Sequence, residues 1–184
     1  MTASHKNILI CVCGGIAAYK VCHIVSRLTQ LEYHVEVAMT AHAMKFVGAL
    51  TFEALSGRPV HTDLSENSGT QDPHHIQLAQ NAALVLVAPA TANIIGKITH
   101  GLADDLISTL LLATGPEKVL LAPAMNEQMW NNPAVQDNIA LLRRRNVTMI
   151  GPESGWQACR TMGMGRMSEP DAIVEAITAR VPAR

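Results

Sequence analysis

The chain has 184 residues, 48% hydrophobic and 16% charged, with 14 Lys+Arg against 15 Asp+Glu. That length fits one domain with a sizeable core, and the apolar fraction excludes a disordered chain. A net charge of −1 and 3% aromatics argue against nucleic-acid binding by bulk electrostatics or base stacking, and no apolar run reaches the ~18 residues of a membrane span.

Asn7 to Val12 is an apolar run that ends in glycines and reads as a buried strand. The apolar run Ile8 to Cys13 is shorter than the ~7–15-residue core of a signal peptide. With no secretion signal, reduced thiols in the cytoplasm are expected for the four cysteines, at 11, 13, 22 and 159. Cys11 and Cys13 alternate on this strand and face the same way; with Cys22 they read as small buried hydrophobes. No Cys/His spacing fits zinc, so no metal site is expected.

Ile16, Val21, Ile24, Val25 and Leu28 carry helical spacing over residues 16–30. Val35 to Met39 is a second strand, and Ala41 to Leu55 reads as helix stopped by Ser56-Gly57-Arg58-Pro59. Residues 61–74 read as loop and His75 to Ala82 as a short helix. Ala83 to Ala88 is the clearest buried strand, followed by helices near 91–99 and 103–114. Lys118 to Ala122 is a strand, Pro133 to Arg145 a helix and Val147 to Ile150 a last strand. A glycine-rich loop fills 151–168, and Pro170 to Arg180 closes as a helix.

Five apolar strands alternating with helices predict an α/β fold, a three-layer arrangement with a parallel sheet covered on both faces. Ligands of such sheets bind beyond the carboxyl ends of the strands. The unusual residues sit there: Gly14-Gly15, Thr40, Pro89 to Asn93, Pro123 to Asn126 and the 151–167 loop.

Each motif has a plain reading beside a functional one. Gly14-Gly15-Ile16-Ala17 would let a phosphate approach a helix N-terminus, or simply make a tight turn. It is neither G-x-G-x-x-G nor a Walker A loop. Thr91 and Asn93 offer polar groups to a ligand, or Thr91 caps a helix. His74 or His75 offers an imidazole base, or a surface side chain. Asn126 would clamp a carboxylate or amide beside Met129 and Trp130, or cap a helix over core side chains. Cys159, with Arg160 and Arg166 expected near it, is a candidate acid or nucleophile on a mobile loop, or an incidental thiol.

Together these segments resemble the flavin-dependent cysteine decarboxylases, and within them the branch acting on phosphopantothenoylcysteine. The resemblance runs from about Lys6 to Arg180. Pro123-Ala124-Met125-Asn126-x-x-Met129-Trp130 is similar to the family's substrate clamp, Pro89-Ala90-Thr91-Ala92-Asn93 to its flavin-phosphate motif, and His75-Ile76-x-Leu78 to its histidine segment. Ala158-Cys159 before Gly163-x-Gly165-Arg166-Met167 resembles its cysteine lid. Arg160 stands where members usually carry glycine.

The resemblance implies a flavodoxin-like, Rossmann-like fold forming a single flavoprotein domain over residues 1–184. It implies FMN lined by Gly15, Ile16, Ala17, Thr40, Thr91, Ala92, Asn93 and Ala124. His75 would be the active-site base, Cys159 the proton donor, Asn126 the holder of the substrate carboxylate, and Met129 a residue closing the site. The implied reaction oxidises the substrate thiol to a thioaldehyde, loses CO2, and re-reduces the enethiolate to 4'-phosphopantetheine. The implied partners are a small-molecule substrate and further copies of the chain, as a homotrimer or a dodecamer of trimers with FMN between subunits; no nucleic acid and no membrane are expected. The ligase domain fused to many bacterial members lies outside these residues, so only decarboxylation is expected. Alternatives beside this reading are oxidative decarboxylation of a peptide's C-terminal cysteine, non-catalytic regulation of a protein phosphatase, and a flavin prenyltransferase of similar fold, against which the Asn126/Met129 motif argues.

Overall fold

The computed structural model describes residues 7–64 and 74–182, without the side chains of residues 74 and 75. Six strands form one parallel sheet: β1 (Asn7–Val12), β2 (His34–Met39), β3 (Val60–His61), β4 (Leu84–Ala90), β5 (Val119–Pro123) and β6 (Thr148–Met149). Their order is β3-β2-β1-β4-β5-β6, and each neighbouring pair is parallel. The alternation of apolar side chains along the central strands builds two cores. Ile8, Ile10 and Val12 face one with Leu84 and Leu86; Leu9, Cys11 and Cys13 face the other with Val85 and Val87. All three layers of the expected α/β fold are present.

Helices α1 (Ala18–Gln30), α2 (Ala49–Ser56) and α8 (Pro170–Arg180) supply the first core. Helices α3 (His74–Asn81), α4 (Ala92–His100), α5 (Leu106–Leu112) and α7 (Pro133–Arg144) supply the second. The one-turn α6 (Glu127–Trp130) follows β5. Local chemistry sets the helix ends. Thr91 caps α4 through its hydroxyl, and Gly101 ends it in the left-handed conformation at φ +68°. Asn132 caps α7, whose first residue is proline. Lys20 and His23 of α1 reach Glu169 and Asp171 at the start of α8, at 3.1 and 3.0 Å.

Three expectations need correction. The helix expected over 41–55 is split: a 3-10 turn at Ala43–Lys45 precedes α2. The cause is Gly48, extended at ψ 147°, which breaks the helical path. Val60 and His61 form a sixth, edge strand against Val37 and Ala38, where a loop was expected from residue 61. Two residues carry too little periodicity to announce a strand. The expected 151–168 loop is an antiparallel hairpin, β7 (Glu153–Trp156) and β8 (Met162–Arg166).

Asp105 carries the junction between α4 and α5. Its carboxylate accepts the Ser108 N–H at 2.8 Å while the Ser108 hydroxyl accepts the Asp105 N–H at 3.0 Å, a reciprocal cap. Lys97 Nζ lies 2.5 Å from both Asp104 and Asp105. Burial opposes ionisation of Asp105, but the hydrogen bonds from Lys97 and Ser108 outweigh it and hold the carboxyl below its ordinary range. A depressed carboxyl stabilises the fold above its unfolded pKa and loses that contribution as pH falls through the folded value. Asp105→Ala is therefore expected to cost about 1–2 kcal/mol at pH 7. In urea unfolding, the gap to the parent should shrink below about pH 4. A gap independent of pH would contradict the assigned role.

Candidate active site

All six strands are parallel, so the turns after β1, β2, β4 and β5 meet at one edge of the sheet. There the structure places Gly15, Ile16 and Ala17 after β1, Thr40 after β2, Thr91, Ala92 and Asn93 at the start of α4, and Ala124 after β5. Three backbone or near contacts knit these turns together. Thr40 N donates to Val12 O at 3.0 Å, and Ala124 N donates to Ala90 O at 3.1 Å. A Cβ on Gly15 would sit 3.5 Å from both Pro89 Cγ and Thr91 Cγ2.

The strand order reverses between β1 and β4, so α1 and α4 leave the sheet on opposite faces with a crevice between their N-termini. Turn carbonyls take part of the first turn of α1, where Ala18 N donates to Gly15 O at 2.9 Å and Lys20 N to Ala17 O at 3.0 Å; the remaining N–H groups of the two helix starts and the dipoles of α1 and α4 favour an anion. Neither first turn contains an acidic residue. The small side chains of Gly15, Ala17 and Ala92 leave the backbone approachable. This donor set suits a phosphate. The plain reading of Thr91 holds, since its oxygen accepts the Ile94 N–H at 3.4 Å, and the residue stands at the crevice. Thr40 Oγ1 likewise accepts the Ala43 N–H at 3.1 Å.

Asn126 is the N-cap of α6: its Oδ1 accepts the Met129 N–H at 2.8 Å. That bond fixes which end of the amide is which, so Nδ2 with its two N–H donors is left for a ligand. Asn126 is exposed, and Met129 beside it is 45% exposed. His75 lies in the first turn of α3; its side chain and that of His74 fall outside the described residues.

Cys159 sits on the turn of the β7–β8 hairpin, with Sγ 3.0 Å from Thr161 Oγ1. Arg160 N donates to Gln157 O at 2.9 Å, closing the turn. Arg160 takes φ +64°, a left-handed conformation that costs a side chain about 1–2 kcal/mol. That conformation is the physical reason a glycine suits the position. Arg166 is not near the thiol: it pairs with Glu169 at the hairpin's open end, opposite Glu153 in the register. The hairpin is tied to the turn after β5. Met125 N donates to Gly165 O at 2.9 Å, and Met164 N donates to Glu127 Oε1 at 3.1 Å. Glu127 N donates to the buried Gln157 Oε1 at 3.3 Å. Sequence reasoning missed Glu127 and Gln157, because their bonds join segments 30 residues apart.

The other thiols are set apart. Burial, helped by the charge of Asp105, pushes Cys11 up to about 12, and burial foremost raises Cys13 well above the thiol range. Both stay protonated and behave as the expected small hydrophobes. Cys22 is only partly buried. A cavity of about 390 Å³ lies between α4, α5 and α7 and is lined by Leu102, Leu111, Leu142 and Val147 among others; it contains none of the expected site residues.

Comparison with known protein families gives a match to the model described as Flavoprotein over residues 1–182. The chain belongs to the flavoprotein family. It is 46% identical over 173 residues to the coenzyme A biosynthesis bifunctional protein CoaBC of Bacillus subtilis, covering 94% of this chain and 42% of that protein. It is 42% identical over 178 residues to CoaBC of Haemophilus influenzae, covering 97% of this chain and 44% of that protein. The chain thus spans less than half the length of the curated relatives it matches. Among solved structures it resembles a cysteine-to-serine mutant of PPC decarboxylase complexed with pantothenoylaminoethenethiol, at TM-score 0.84 and 29% identity, covering 95% of this chain and 97% of that one. It also resembles the FMN-dependent cysteine decarboxylase SpaF, at TM-score 0.80 and 30% identity, covering 97% and 99%. The resemblance read from the sequence motifs is borne out. Among the described residues no helix is long and apolar enough to cross a membrane.

The two adjacent glycines should separate fold from ligand binding. A Cβ on Gly14 would come within 2.4 Å of His42 Cβ, whereas one on Gly15 meets only ordinary contacts. Gly14→Ala is expected to lower stability by about 1–3 kcal/mol. Gly15→Ala should leave the melting temperature of flavin-free protein unchanged but fill the crevice and weaken flavin retention at least tenfold, read from flavin absorbance after gel filtration. Equal melting losses in both variants would contradict this division.

Proposed function

We propose that the chain is an FMN-dependent decarboxylase that converts 4'-phosphopantothenoylcysteine to 4'-phosphopantetheine in coenzyme A biosynthesis. One observation carries the reading: an outward-facing Asn126 amide and the Cys159 hairpin are hydrogen-bonded into one unit beside a phosphate-suited crevice. The names of the CoaBC relatives and of PPC decarboxylase support the substrate, and SpaF supports FMN.

When bound, FMN supplies a two-electron acceptor for hydride from the sulfur-bearing carbon of the substrate. Gly15, Ile16, Ala17, Thr40, Thr91, Ala92, Asn93 and Ala124 would hold it, the N-termini of α1 and α4 offering donors that suit its phosphate. Asn126 Nδ2 donates to the substrate carboxylate and orients the bond to be broken. Met129 covers that site with an apolar wall. His75 acts as the active-site base. After CO2 leaves, the Cys159 thiol gives its proton to the carbon that lost the carboxylate. The ligand of the solved mutant supports this last role, since pantothenoylaminoethenethiol is an unsaturated thiol and the mutant lacks a cysteine.

The reading includes self-association in the cytoplasm, as a trimer or a dodecamer of trimers with the flavin between subunits, formed by the single domain of residues 1–184. Exposed Ile16 and Tyr19 at the start of α1, with Phe46 and Leu50 in the segment after β2, support it, because so many large apolar side chains seldom face water without a partner.

Cys159→Ser tests the assignment. The variant is expected to release CO2 but to yield the enethiol, two hydrogens lighter than phosphopantetheine, by mass spectrometry. A full yield of phosphopantetheine from the variant would overturn the role of Cys159.

A further inference from the structure

Gln157 lies between the hairpin and α6 and is 7% exposed. Its Oε1 accepts the Glu127 N–H at 3.3 Å and stands 3.5 Å from Cys159 Sγ. Its Nε2 donates to Met164 O at 2.6 Å. The backbone N–H needs an acceptor and the carbonyl a donor, so the amide has one satisfying orientation, and its oxygen shares the Cys159 thiol with Thr161 Oγ1, 3.0 Å from Sγ. Glu127 N–H is the first of α6, and no carbonyl within so short a helix reaches it. Gly163 keeps the fit tight, because a Cβ there would come within 2.7 Å of the Glu127 carboxylate. One buried amide thus joins the residue after Asn126 to the thiol of Cys159.

Resting on the decarboxylase reading, we propose that Gln157 is a positioning residue that holds the Cys159 thiol toward the substrate bound at Asn126. It thereby sets whether the enethiolate is completed to product or released. In completion, the Cys159 S–H proton goes to the carbon that lost CO2. The sulfur-bearing carbon takes back the hydride it gave up earlier in the same cycle, and Cys159 recovers a proton from water. Release before that step leaves the two electrons with FMN; the enethiolate takes a proton from water and departs two hydrogens short of product.

Two variants probe the role in protein loaded with FMN and supplied anaerobically with 4'-phosphopantothenoylcysteine. Gln157→Leu keeps the volume and removes both polar atoms. The ratio of reduced product to enethiol, measured by mass spectrometry, should fall at least tenfold at every pH. Gln157→Glu reproduces the amide only when protonated, its carbonyl accepting and its O–H donating to Met164 O. The ionisable residues bonded to this side chain are Glu127 and Cys159. The reduced fraction of the Glu variant should therefore rise as pH falls, while the parent's ratio stays flat over the same range.

A readout without substrate comes from amide hydrogen exchange. In Gln157→Leu the Glu127 amide should exchange at least tenfold faster, while β1 and β4 keep the parent's protection and show that the fold is intact. A native product ratio in Gln157→Leu alongside faster Glu127 exchange would overturn the proposal, leaving Gln157 a support of the hairpin alone. A pH-independent ratio in Gln157→Glu would overturn it too, including where the Leu variant fails to fold. If the parent itself releases no CO2, the decarboxylase reading falls and this role falls with it; that result is distinct from parent turnover with unaltered variants.

Discussion

The parallel pairing of β1 with β4 is the constraint on which the rest of the molecule depends. Both strands are buried on both faces, so neither register nor direction can slip without moving a whole apolar set. Parallel direction sends both following turns to one edge, and the reversal of strand order there sends α1 and α4 to opposite faces. The result is a crevice bounded by two helix N-termini, built from backbone N–H groups and small side chains instead of cationic ones. A phosphate held this way needs no lysine or arginine, which fits a chain whose charges nearly cancel.

The second structural dependence is the seam between the turn after β5 and the β7–β8 hairpin. Gly165 lies at φ +119°, and a Cβ there would come within 2.2 Å of Met125 O, the backbone neighbour whose N–H bonds to Gly165 O. That close approach lets the hairpin seat directly on the segment carrying Asn126. Glu127 and Gln157 then close the seam with side-chain bonds in both directions. A thiol on a turn would otherwise be positioned only by its own strands. The same arrangement separates two kinds of cysteine: Cys11 and Cys13 are kept protonated inside the second core, while Cys159 is exposed on the hairpin turn.

Much of the fold was legible in the sequence, because the central strands are continuous apolar runs and the helices carry clear periodicity and stops. The five strands read from the sequence all occur, and the residues singled out after four of them meet at one edge. Legibility failed where periodicity is short or mixed. Val60–His61 is too brief to register. Met162-Gly163-Met164-Gly165-Arg166 does alternate with period two, but its glycines argued for a loop more loudly than the alternation argued for a strand. Asn126 was legible as a cap or a clamp, and the cap is the reading the structure shows. Gln157 was not legible at all: nothing local marks a glutamine whose partners lie 30 residues away and across a hairpin.

The most direct test of the account is the mass of the product formed when the purified chain, loaded with FMN, is incubated anaerobically with 4'-phosphopantothenoylcysteine. The account predicts loss of CO2 alone, the signature of decarboxylation followed by return of the hydride. Loss of CO2 together with two hydrogens would contradict it, by showing that this edge of the sheet oxidises its substrate and stops there.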